Sequence, residues 1–211
     1  SSEVESQCQG ISTAACGLRS IRTGVGKEGE RVHHRKMIRT LLAIAALALS
    51  AAPTAAALPE GAKAPLFSAK GARAGKPVTI DLAKELKKGP VVLYFFPAAF
   101  TSGCNIEANA FAAKIAEFRK AGATVIGMTA GNADRLLEFS AKECAGQFTV
   151  AAATPEVIRG YDVSLAAKPG WTSRTTYVIR RDRRIADAFT DMAPTGHIAR
   201  SLAAVQALAK K

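Results

Sequence analysis

The stretch VVLYFFPAAFTSGC, residues 91–104, decides the fold of this chain and holds its most informative cysteine. Residues 91–96 form an unbroken run of apolar, β-prone side chains, which is typical of a strand buried on both faces of a sheet. Pro97 ends that strand, and a short loop leads into a helix predicted over about residues 103–120. Cys104 therefore lies just after a buried strand and at the start of a helix.

The segments around this stretch predict strands that alternate with helices. Residues 58–76 are expected to form an extended entry segment, because they are rich in Ala, Gly, Pro and Lys. Strands are predicted at residues 77–81, 91–96, 124–128, 148–152, 175–179 and 185–189, the last two as a hairpin. Helices are predicted at residues 82–86, 103–120, 132–144, a short segment opened by Thr154-Pro155, and 194–210. This order predicts an α/β fold with a central mixed β-sheet flanked by helices.

Side-chain patterns add detail to these helices. Asn132 and Thr154 are the expected N-caps, because a side-chain oxygen at that position accepts hydrogen bonds from free N–H groups of the first turn. The helix after Cys104 and the helix that follows it each have apolar residues at helical offsets, which predicts that these residues face the core. They are Ile106, Ala110, Phe111, Ile115 and Phe118 in the first helix, and Leu136, Leu137 and Phe139 in the second.

A second informative stretch, MIRTLLAIAALALSAAPTAAALPEG, begins at Met37. A basic start at Arg39, an apolar run over residues 41–49 and small residues ending at Ala57 follow the order of a secretory signal peptide. We expect cleavage near Ala57 and export, with a periplasmic location. No stable membrane insertion is expected afterwards, because the apolar run is shorter than the roughly 20 residues that span a bilayer. A lipid-anchoring or core helix is the alternative interpretation.

These features divide the chain into three parts. Residues 1–36 have no apolar periodicity and precede a signal that belongs at an N-terminus, so we expect them to be upstream sequence outside the native protein. A disordered regulatory tail is the alternative for this segment. Residues 37–57 are the expected signal peptide. Residues 58–211 are the expected folded domain.

The net charge of the chain raises the hypothesis of nucleic-acid binding. It is +12 at pH 7 over 211 residues. The tight cluster of basic residues at 180–184 has no interleaved aromatic side chains on which bases could stack. We therefore expect no nucleic-acid partner, and we interpret the cluster as a solvated basic turn.

Cysteines and histidines are too few for a metal centre. The four cysteines lie at positions 8, 16, 104 and 144, with neither a CxxC pair nor zinc-ligand spacing. Of the three histidines, His197 alone lies in the expected folded domain. No metal or cofactor is therefore expected. Two cysteines remain in the mature chain, where they could form a structural disulfide or be reactive.

The position of Cys104 favours reactivity. At the start of a helix its sulfur lies among free backbone N–H groups and the positive end of the helix dipole, which favour thiolate over thiol. Thr101 can direct its hydroxyl at whatever the sulfur contacts, and Pro97 can shield the sulfur from water. A cysteine at a helix start is often simply a small buried hydrophobe. The combination of proline, threonine and cysteine favours the reactive interpretation.

The pattern P-x-x-x-T-x-x-C after an apolar strand, matched by Pro97, Thr101 and Cys104, resembles the active-site motif of peroxiredoxins. The resemblance is to the bacterioferritin comigratory, or Q-type, branch of the family. It implies a thioredoxin-like fold and a thiol peroxidase that reduces hydrogen peroxide and organic hydroperoxides without a cofactor. Two further residues match the family site: Glu107, three residues after the cysteine, and Arg174, at the beginning of a late strand.

The resemblance covers residues 58–211 and also implies a mechanism. Cys104 as a thiolate would attack one peroxide oxygen and become a sulfenic acid. Arg174, the Thr101 hydroxyl and the Cys104 N–H would stabilise the charge that develops on the two oxygens. Glu107 would orient Arg174 through a charge-assisted hydrogen bond.

The resolving thiol is implied less directly. Many members of the branch have a second cysteine five residues after the first, and Asn109 stands there in this chain. Cys144 resembles the resolving cysteine that some members have on the following helix, which implies an intramolecular Cys104–Cys144 disulfide once one helix end unwinds. A one-cysteine enzyme that uses an external thiol is the alternative. The implied reductant is a thioredoxin-like protein, and a monomer is expected because the C-terminus adds no cysteine arm.

Other functions on the same fold make different demands on the sequence. An exported thiol–disulfide oxidoreductase needs a CxxC, and Thr101 occupies the position three residues before Cys104. A metal-delivery protein needs two closely spaced cysteines and a histidine, whereas His197 is distant in sequence from Cys104. An inactive member of the peroxiredoxin family is a further alternative.

Overall fold

A computed structural model describes residues 57–210. The predictions made for residues 1–36 and for residues 37–56 of the signal peptide lie outside the described residues. In the described range, no helix combines the length and the apolar character that crossing a membrane requires. The same range contains no group of three or more side chains arranged to bind a metal ion.

Within residues 57–210 the chain forms seven strands, five α-helices and a 3-10 turn at Ala133–Arg135. The strands are β1 (Ser68–Arg73), β2 (Lys76–Asp81), β3 (Val91–Phe95), β4 (Thr124–Thr129), β5 (Thr149–Ala152), β6 (Thr175–Ile179) and β7 (Ile185–Thr190). The helices are α1 (Leu82–Lys88), α2 (Ser102–Lys120), α3 (Leu136–Lys142), α4 (Pro155–Gly160) and α5 (Thr195–Ala209).

The strands form one mixed sheet in the order β2-β1-β5-β4-β3-β6-β7. β3 pairs with β4 in parallel and β4 with β5 in parallel, whereas β6 and β7 are antiparallel additions beyond β3. Helices cover both faces of this sheet, so the predicted α/β class is confirmed. Because β3 and β4 run in parallel, the loops that leave them emerge at the same edge of the sheet.

The apolar run at residues 91–96 is unbroken because both faces of β3 are covered. Alternate side chains belong to two separate apolar clusters, with Val92, Tyr94 and Phe96 in one and residues 91, 93 and 95 in the other. All five residues of β3 are buried. This burial fixes the place where the chain leaves the sheet and enters the loop that precedes α2.

The leading segment contains a strand that the sequence does not indicate. The prediction for residues 58–76 is an extended entry segment, and the structure adds that part of it, β1, pairs antiparallel with both β2 and β5. β1 has few β-branched residues, so its conformation comes from pairing rather than from propensity. At Gly71 a Cβ atom would lie 2.3 Å from the Val150 carbonyl oxygen, so this strand approaches β5 more closely than a side chain allows.

The helix that leads to Cys144 differs from its prediction. Asn132 is not a cap: its φ is 53°, and its side chain makes no capping hydrogen bond. It donates instead to the Ala99 carbonyl, at 2.8 Å. The chain continues with a 3-10 turn before α3, and α3 ends at Lys142, so Cys144 lies beyond the helix end. In contrast, the predicted cap Thr154 is confirmed, since its hydroxyl oxygen accepts a hydrogen bond from the Val157 N–H.

Two residues expected in the core are exposed. Ile106 is 56% exposed and Leu137 is 47% exposed. In α2 the inward position beside Cys104 belongs to a charged residue, Glu107, which is buried. A hydrophobic pattern identifies the apolar face of a helix from its apolar residues. It does not reveal that a carboxyl group, here that of Glu107, is buried while the neighbouring Ile106 is exposed.

The basic cluster at residues 180–184 is more than a solvated turn. Arg183 donates two hydrogen bonds to the Ala64 carbonyl, and Arg184 donates one to the Gly61 carbonyl. These bonds tie the β6–β7 hairpin to the segment before β1. The cluster therefore has a structural role in which backbone carbonyls satisfy the guanidinium groups.

Candidate functional site

The loop between β3 and α2 is held against the end of β4. The Thr129 hydroxyl donates to the Pro97 carbonyl at 3.0 Å, and the Ala99 N–H donates to the Gly131 carbonyl at 3.1 Å. Phe100 has a φ of 62°, a left-handed conformation that is unusual for a side chain of its size. The loop thus has a defined path that delivers the chain to the start of α2.

Cys104 is the third residue of α2. The first backbone hydrogen bond of the helix is donated by Asn105 to the Thr101 carbonyl, at 2.9 Å. The N–H groups of residues 102–104 therefore have no partner inside the helix, and Cys104 lies with them at the positive end of the helix dipole. The residue itself is 1% exposed.

Arg174 brings a guanidinium group to the sulfur from a distant part of the sequence. It lies just before β6, is 4% exposed, and places Nη2 at 3.6 Å from the Cys104 Sγ. Its Nε donates to the Met192 carbonyl at 3.0 Å, and its Nη1 donates to Glu107 Oε2. The structure thus brings together three of the residues that the sequence predicts for the site. The guanidinium therefore places a positive charge directly beside the sulfur.

Gly103 is a residue of the site that the sequence reasoning missed. A Cβ atom at this position would lie 3.1 Å from Arg174 Nη2. Glycine therefore gives the guanidinium room to reach the sulfur. The available signal was a glycine directly before the cysteine, where a helix begins and glycine is otherwise unfavourable.

Glu107 is fully buried beside Arg174. Burial raises the pKa of its carboxyl to about 8, although the charge and hydrogen bond of Arg174 act in the opposite direction. One carboxyl oxygen, Oε1, is buried and has no hydrogen-bond partner. The carboxyl group therefore contacts the guanidinium through one oxygen and leaves the other unused.

His197 is a second residue that the sequence reasoning missed, since it was judged distant from the cysteine. It is fully buried at the start of α5. Its Nδ1 lies 2.8 Å from the Thr176 hydroxyl, its Nε2 lies 2.9 Å from the Asp191 carbonyl oxygen, and Nδ1 is 3.9 Å from Glu107 Oε1. The signal in the sequence was a histidine in the first turn of the last helix, but its neighbours are set by the tertiary structure.

Thr101 and Pro97 lie in the loop that carries the cysteine. The Thr101 hydroxyl donates to the Ala98 carbonyl at 3.1 Å rather than to the Cys104 sulfur. The oxygen lone pairs of Thr101 are therefore free to accept a hydrogen bond. Pro97 is buried, as expected of a residue that keeps water from the site.

Cys144 is a free thiol in the core. It is fully buried and belongs to the same apolar cluster as Cys104, and both residues are free cysteines. Burial raises the pKa of the Cys144 thiol. The next two residues, Ala145 and Gly146, have φ values of 47° and 66° in a turn beyond α3. The described structure does not bring the two sulfurs into a bond.

Known proteins resemble this chain in sequence and in fold. Residues 61–188 match the AhpC/TSA family. The chain is 31% identical over 153 residues to a chloroplastic peroxiredoxin Q of Suaeda salsa, which covers 71% of this chain and 68% of that protein. A shorter alignment, 36% identical, spans 42% of a chloroplastic peroxiredoxin Q of Sedum lineare.

A solved structure agrees with the sequence comparison. The crystal structure of peroxidoxin BcpB from Mycobacterium tuberculosis superposes with a TM-score of 0.64 at 26% identity, and the match covers 72% of this chain and 98% of that one. The described fold, the loop motif and the sequence relatives therefore point to the same group of proteins. The chain belongs to the AhpC/TSA family, in its Q-type peroxiredoxin branch, whose members are thiol peroxidases.

Proposed function

We propose that this protein reduces hydroperoxides with Cys104 as the attacking residue. The observation that carries the proposal is the 3.6 Å contact between Arg174 Nη2 and the Cys104 Sγ, in which both residues are almost fully buried. A positive charge held against a sulfur away from water favours the thiolate, which is the nucleophilic form. Arg174 is oriented for this contact by its hydrogen bonds to Met192 and Glu107.

The chemical step is a displacement at oxygen. The thiolate forms a bond to one peroxide oxygen, the O–O bond breaks, and the departing oxygen takes a proton and leaves as water or an alcohol. The sulfur is oxidised to a sulfenic acid and the peroxide is reduced. Negative charge moves from sulfur to the departing oxygen, so Arg174 and the free N–H groups at the start of α2 stabilise the transition state.

Thr101 and Pro97 prepare the site for the peroxide. Because the Thr101 hydroxyl donates to the Ala98 carbonyl, its oxygen can accept a hydrogen bond from the peroxide O–H. Pro97 lies on the buried side of the loop and excludes water. Since the cysteine is 1% exposed, the peroxide reaches the sulfur when the covering side chains move apart.

Cys144 is proposed as the resolving thiol. Its sulfur would attack the sulfenic acid, release water and form a Cys104–Cys144 disulfide, which makes this an atypical two-cysteine enzyme. The turn at Ala145-Gly146 follows α3 directly and supports unwinding of this helix end, since short helix ends open at low free-energy cost. A thioredoxin-like dithiol would then reduce the disulfide and restore both thiols.

We also propose that the enzyme acts outside the cytoplasm as a monomer. The signal-like stretch at residues 37–57 supports export to the periplasm. Cytosolic thioredoxin does not reach that compartment, so a periplasmic thioredoxin-like donor is required. Cell fractionation tests the location, and light scattering of the reduced protein tests the oligomeric state. Retention of the protein in the cytoplasm would contradict export. A stable dimer in solution would contradict the monomeric state.

Stopped-flow reaction of the reduced protein with hydrogen peroxide tests the peroxidase proposal. Cys104→Ser is expected to lower the single-turnover rate by at least about 10³-fold, as for removal of other catalytic nucleophiles. Cys144→Ser is the matched control, because it replaces the other buried cysteine of the domain and leaves the first step intact. Equal rates for wild type and Cys104→Ser would refute the assignment.

Mass spectrometry after one equivalent of peroxide tests the resolving step. The wild type is expected to lose two hydrogens and to yield one peptide pair joined by Cys104 and Cys144. Cys144→Ser is expected to retain one added oxygen on Cys104. A sulfenic acid that persists in the wild type would instead support the one-cysteine alternative.

A further inference from the structure

Basic side chains collect at one end of the sheet. The parallel strands β3, β4 and β5 all begin at this end. β6 stops here, because it runs antiparallel to β3 with Ile179 opposite Val91, and β1 stops here because it runs antiparallel to β5. The peroxide site lies at the other end of the sheet, where β3 and β4 stop and α2 begins.

Seven basic side chains make up the basic end of the molecule. They come from the end of β1, from the ends of α1 and α2 just before β3 and β4, and from the β6–β7 turn: Arg73, Lys87, Lys88, Arg119, Lys120, Arg180 and Arg181. Six of them are exposed, and Arg180 is half-buried. Glu85 and Asp182 lie beside them, 2.8 Å from Lys88 and 3.7 Å from Arg180. Positive charge is therefore in clear excess at this end.

The helix dipole explains only part of this pattern. Basic residues are favourable in the last turn of a helix, where the dipole has its negative end, and this accounts for the basic pairs that end α1 and α2. It does not account for Arg73, Arg180 and Arg181, which lie beside turns between strands. Like charges gathered at one end repel each other in the folded protein. An anionic partner at the basic end would relieve this repulsion.

Two of the guanidinium groups converge on one carbonyl oxygen. Arg119 Nη2 donates to the Gln147 carbonyl at 2.6 Å, and Arg73 Nη2 donates to the same oxygen at 3.4 Å. Both side chains line a cavity of about 240 Å³, together with Lys88 and its partner Glu85. Each guanidinium has further N–H groups that Gln147 does not use, and these suit the oxygens of a phosphate.

A groove with apolar lining lies at the same end. It has a volume of about 320 Å³ and is lined by Ala121, Leu208 and Pro90 together with Arg180 and Arg181. Cationic side chains around an apolar groove fit a ligand that has both an anionic headgroup and an apolar part. A phospholipid has this chemistry, and the proposed periplasmic location brings the protein close to membrane surfaces.

Nucleic acid fits the basic end less well. Single strands are bound by aromatic side chains on which the bases stack. The aromatic residues next to Arg119 and Gln147 are Phe118 and Phe148, and both are buried in the core. No aromatic ring from these positions is therefore available to a base.

We propose that the basic end binds the surface of a membrane that contains anionic phospholipids, with a headgroup phosphate at Arg73 and Arg119. The contact is peripheral and needs no inserted helix. α2 has 19 residues and is about 28 Å long, so Cys104 at its start is directed away from the membrane. Only this last consequence, a peroxide site that faces the aqueous phase, rests on the proposed peroxidase function.

Cosedimentation of the full chain with vesicles tests the proposal. Vesicles of phosphatidylglycerol and phosphatidylethanolamine supply an anionic surface, and phosphatidylcholine vesicles supply a neutral one. Lys87→Gln/Lys120→Gln neutralises two exposed side chains of the basic end and is expected to lower partitioning onto anionic vesicles about 30-fold. All variants carry the same residues 1–56, so a difference between variants comes from the substituted positions.

Arg159→Gln/Lys168→Gln is the matched control. It removes the same charge from exposed positions between β5 and β6, outside the basic end, and is expected to bind within about threefold of the wild type. Equal losses for the two double variants would show that net charge alone matters and would overturn the proposal. Wild-type binding to neutral vesicles that is as strong as binding to anionic ones would overturn it too.

Two further measurements do not depend on the double variants. Raising the salt concentration from about 0.05 M to about 0.5 M is expected to release the wild type from anionic vesicles, because salt screens exposed charges, and retention would contradict the proposal. A DNA duplex that displaces the protein from anionic vesicles at equal phosphate concentration would assign the basic end to nucleic acid instead. Vesicle binding by a protein that fails to reduce peroxide would refute the peroxidase function and leave the membrane contact standing.

Discussion

Replacing Arg174 by alanine is the strongest single perturbation of the site outside the cysteine. Its guanidinium lies 3.6 Å from the sulfur, and two full charges at that distance interact by about 4.6 kcal/mol at an effective dielectric constant of about 20. Water that enters the vacated space restores part of this interaction energy, so the net loss of stabilisation is about 3–4 kcal/mol. Because about 1.4 kcal/mol corresponds to a tenfold change in rate, the single-turnover rate with peroxide is expected to fall about 10²- to 10³-fold.

Arg174→Lys separates charge from geometry. Lysine keeps a positive charge but lacks the planar fork that contacts sulfur, Glu107 and the Met192 carbonyl at once. A loss between those of alanine and wild type is therefore expected, of about tenfold. Arg159→Ala is the matched control, because Arg159 pairs with Glu156 at an exposed position and is far in sequence from the loop.

Stopped-flow measurement at pH 7 under single-turnover conditions gives these rates directly. Circular dichroism and a thermal melt show whether each variant is folded. A folded Arg174→Ala variant that reacts within threefold of the wild type would falsify the reasoning, since the guanidinium would then contribute nothing to the reactivity of the thiolate.

Three other substitutions or treatments test separate parts of the structure. Gly103→Ala places a Cβ 3.1 Å from Arg174 Nη2, so the guanidinium must shift. The rate of reaction with peroxide is expected to fall several-fold while the far-ultraviolet circular dichroism stays unchanged. An unchanged rate would show that the added Cβ does not displace the guanidinium. Phe111→Ala empties a fully buried core position. It is expected to lower the free energy of unfolding by about 3–5 kcal/mol, as measured by urea titration. A loss below about 1 kcal/mol would show that the core refills the space left by the Phe111 ring or that this ring is not buried. Because burial raises the pKa of Cys144, iodoacetamide at pH 8 is expected to label Cys104 in the native reduced protein and Cys144 after unfolding; equal native labelling would contradict this placement.

The local sequence was sufficient for much of the fold. The apolar run at residues 91–96 predicted a strand buried on both faces, and the alternation of strand and helix patterns predicted a mixed sheet covered by helices. The Thr154-Pro155 helix start was predicted because a cap and a first-position proline act on adjacent residues. These features depend on interactions within a few residues, and a linear pattern records such interactions well.

Those local patterns could not predict strand pairing and hydrogen bonds between distant parts of the chain. β1 is a strand because β2 and β5 lie on either side of it, although its own residues favour no strand. Asn132 has the residue type of a cap, but its side chain binds the Ala99 carbonyl across the site. In each case a tertiary hydrogen bond outweighs a local preference of about 1 kcal/mol.

The candidate site shows the same division. The sequence by itself determined that a cysteine starts a helix after a buried strand, with Thr101 before it and Glu107 on the next turn. The family resemblance named Arg174 for the site, but only the tertiary structure shows that its Nη2, 70 residues away in sequence, lies 3.6 Å from the sulfur. Only the tertiary structure shows that His197 Nδ1 lies 3.9 Å from Glu107 Oε1. The physical reason is that charge, burial and hydrogen-bond partners are properties of a place in space, which the fold assembles from distant parts of the chain.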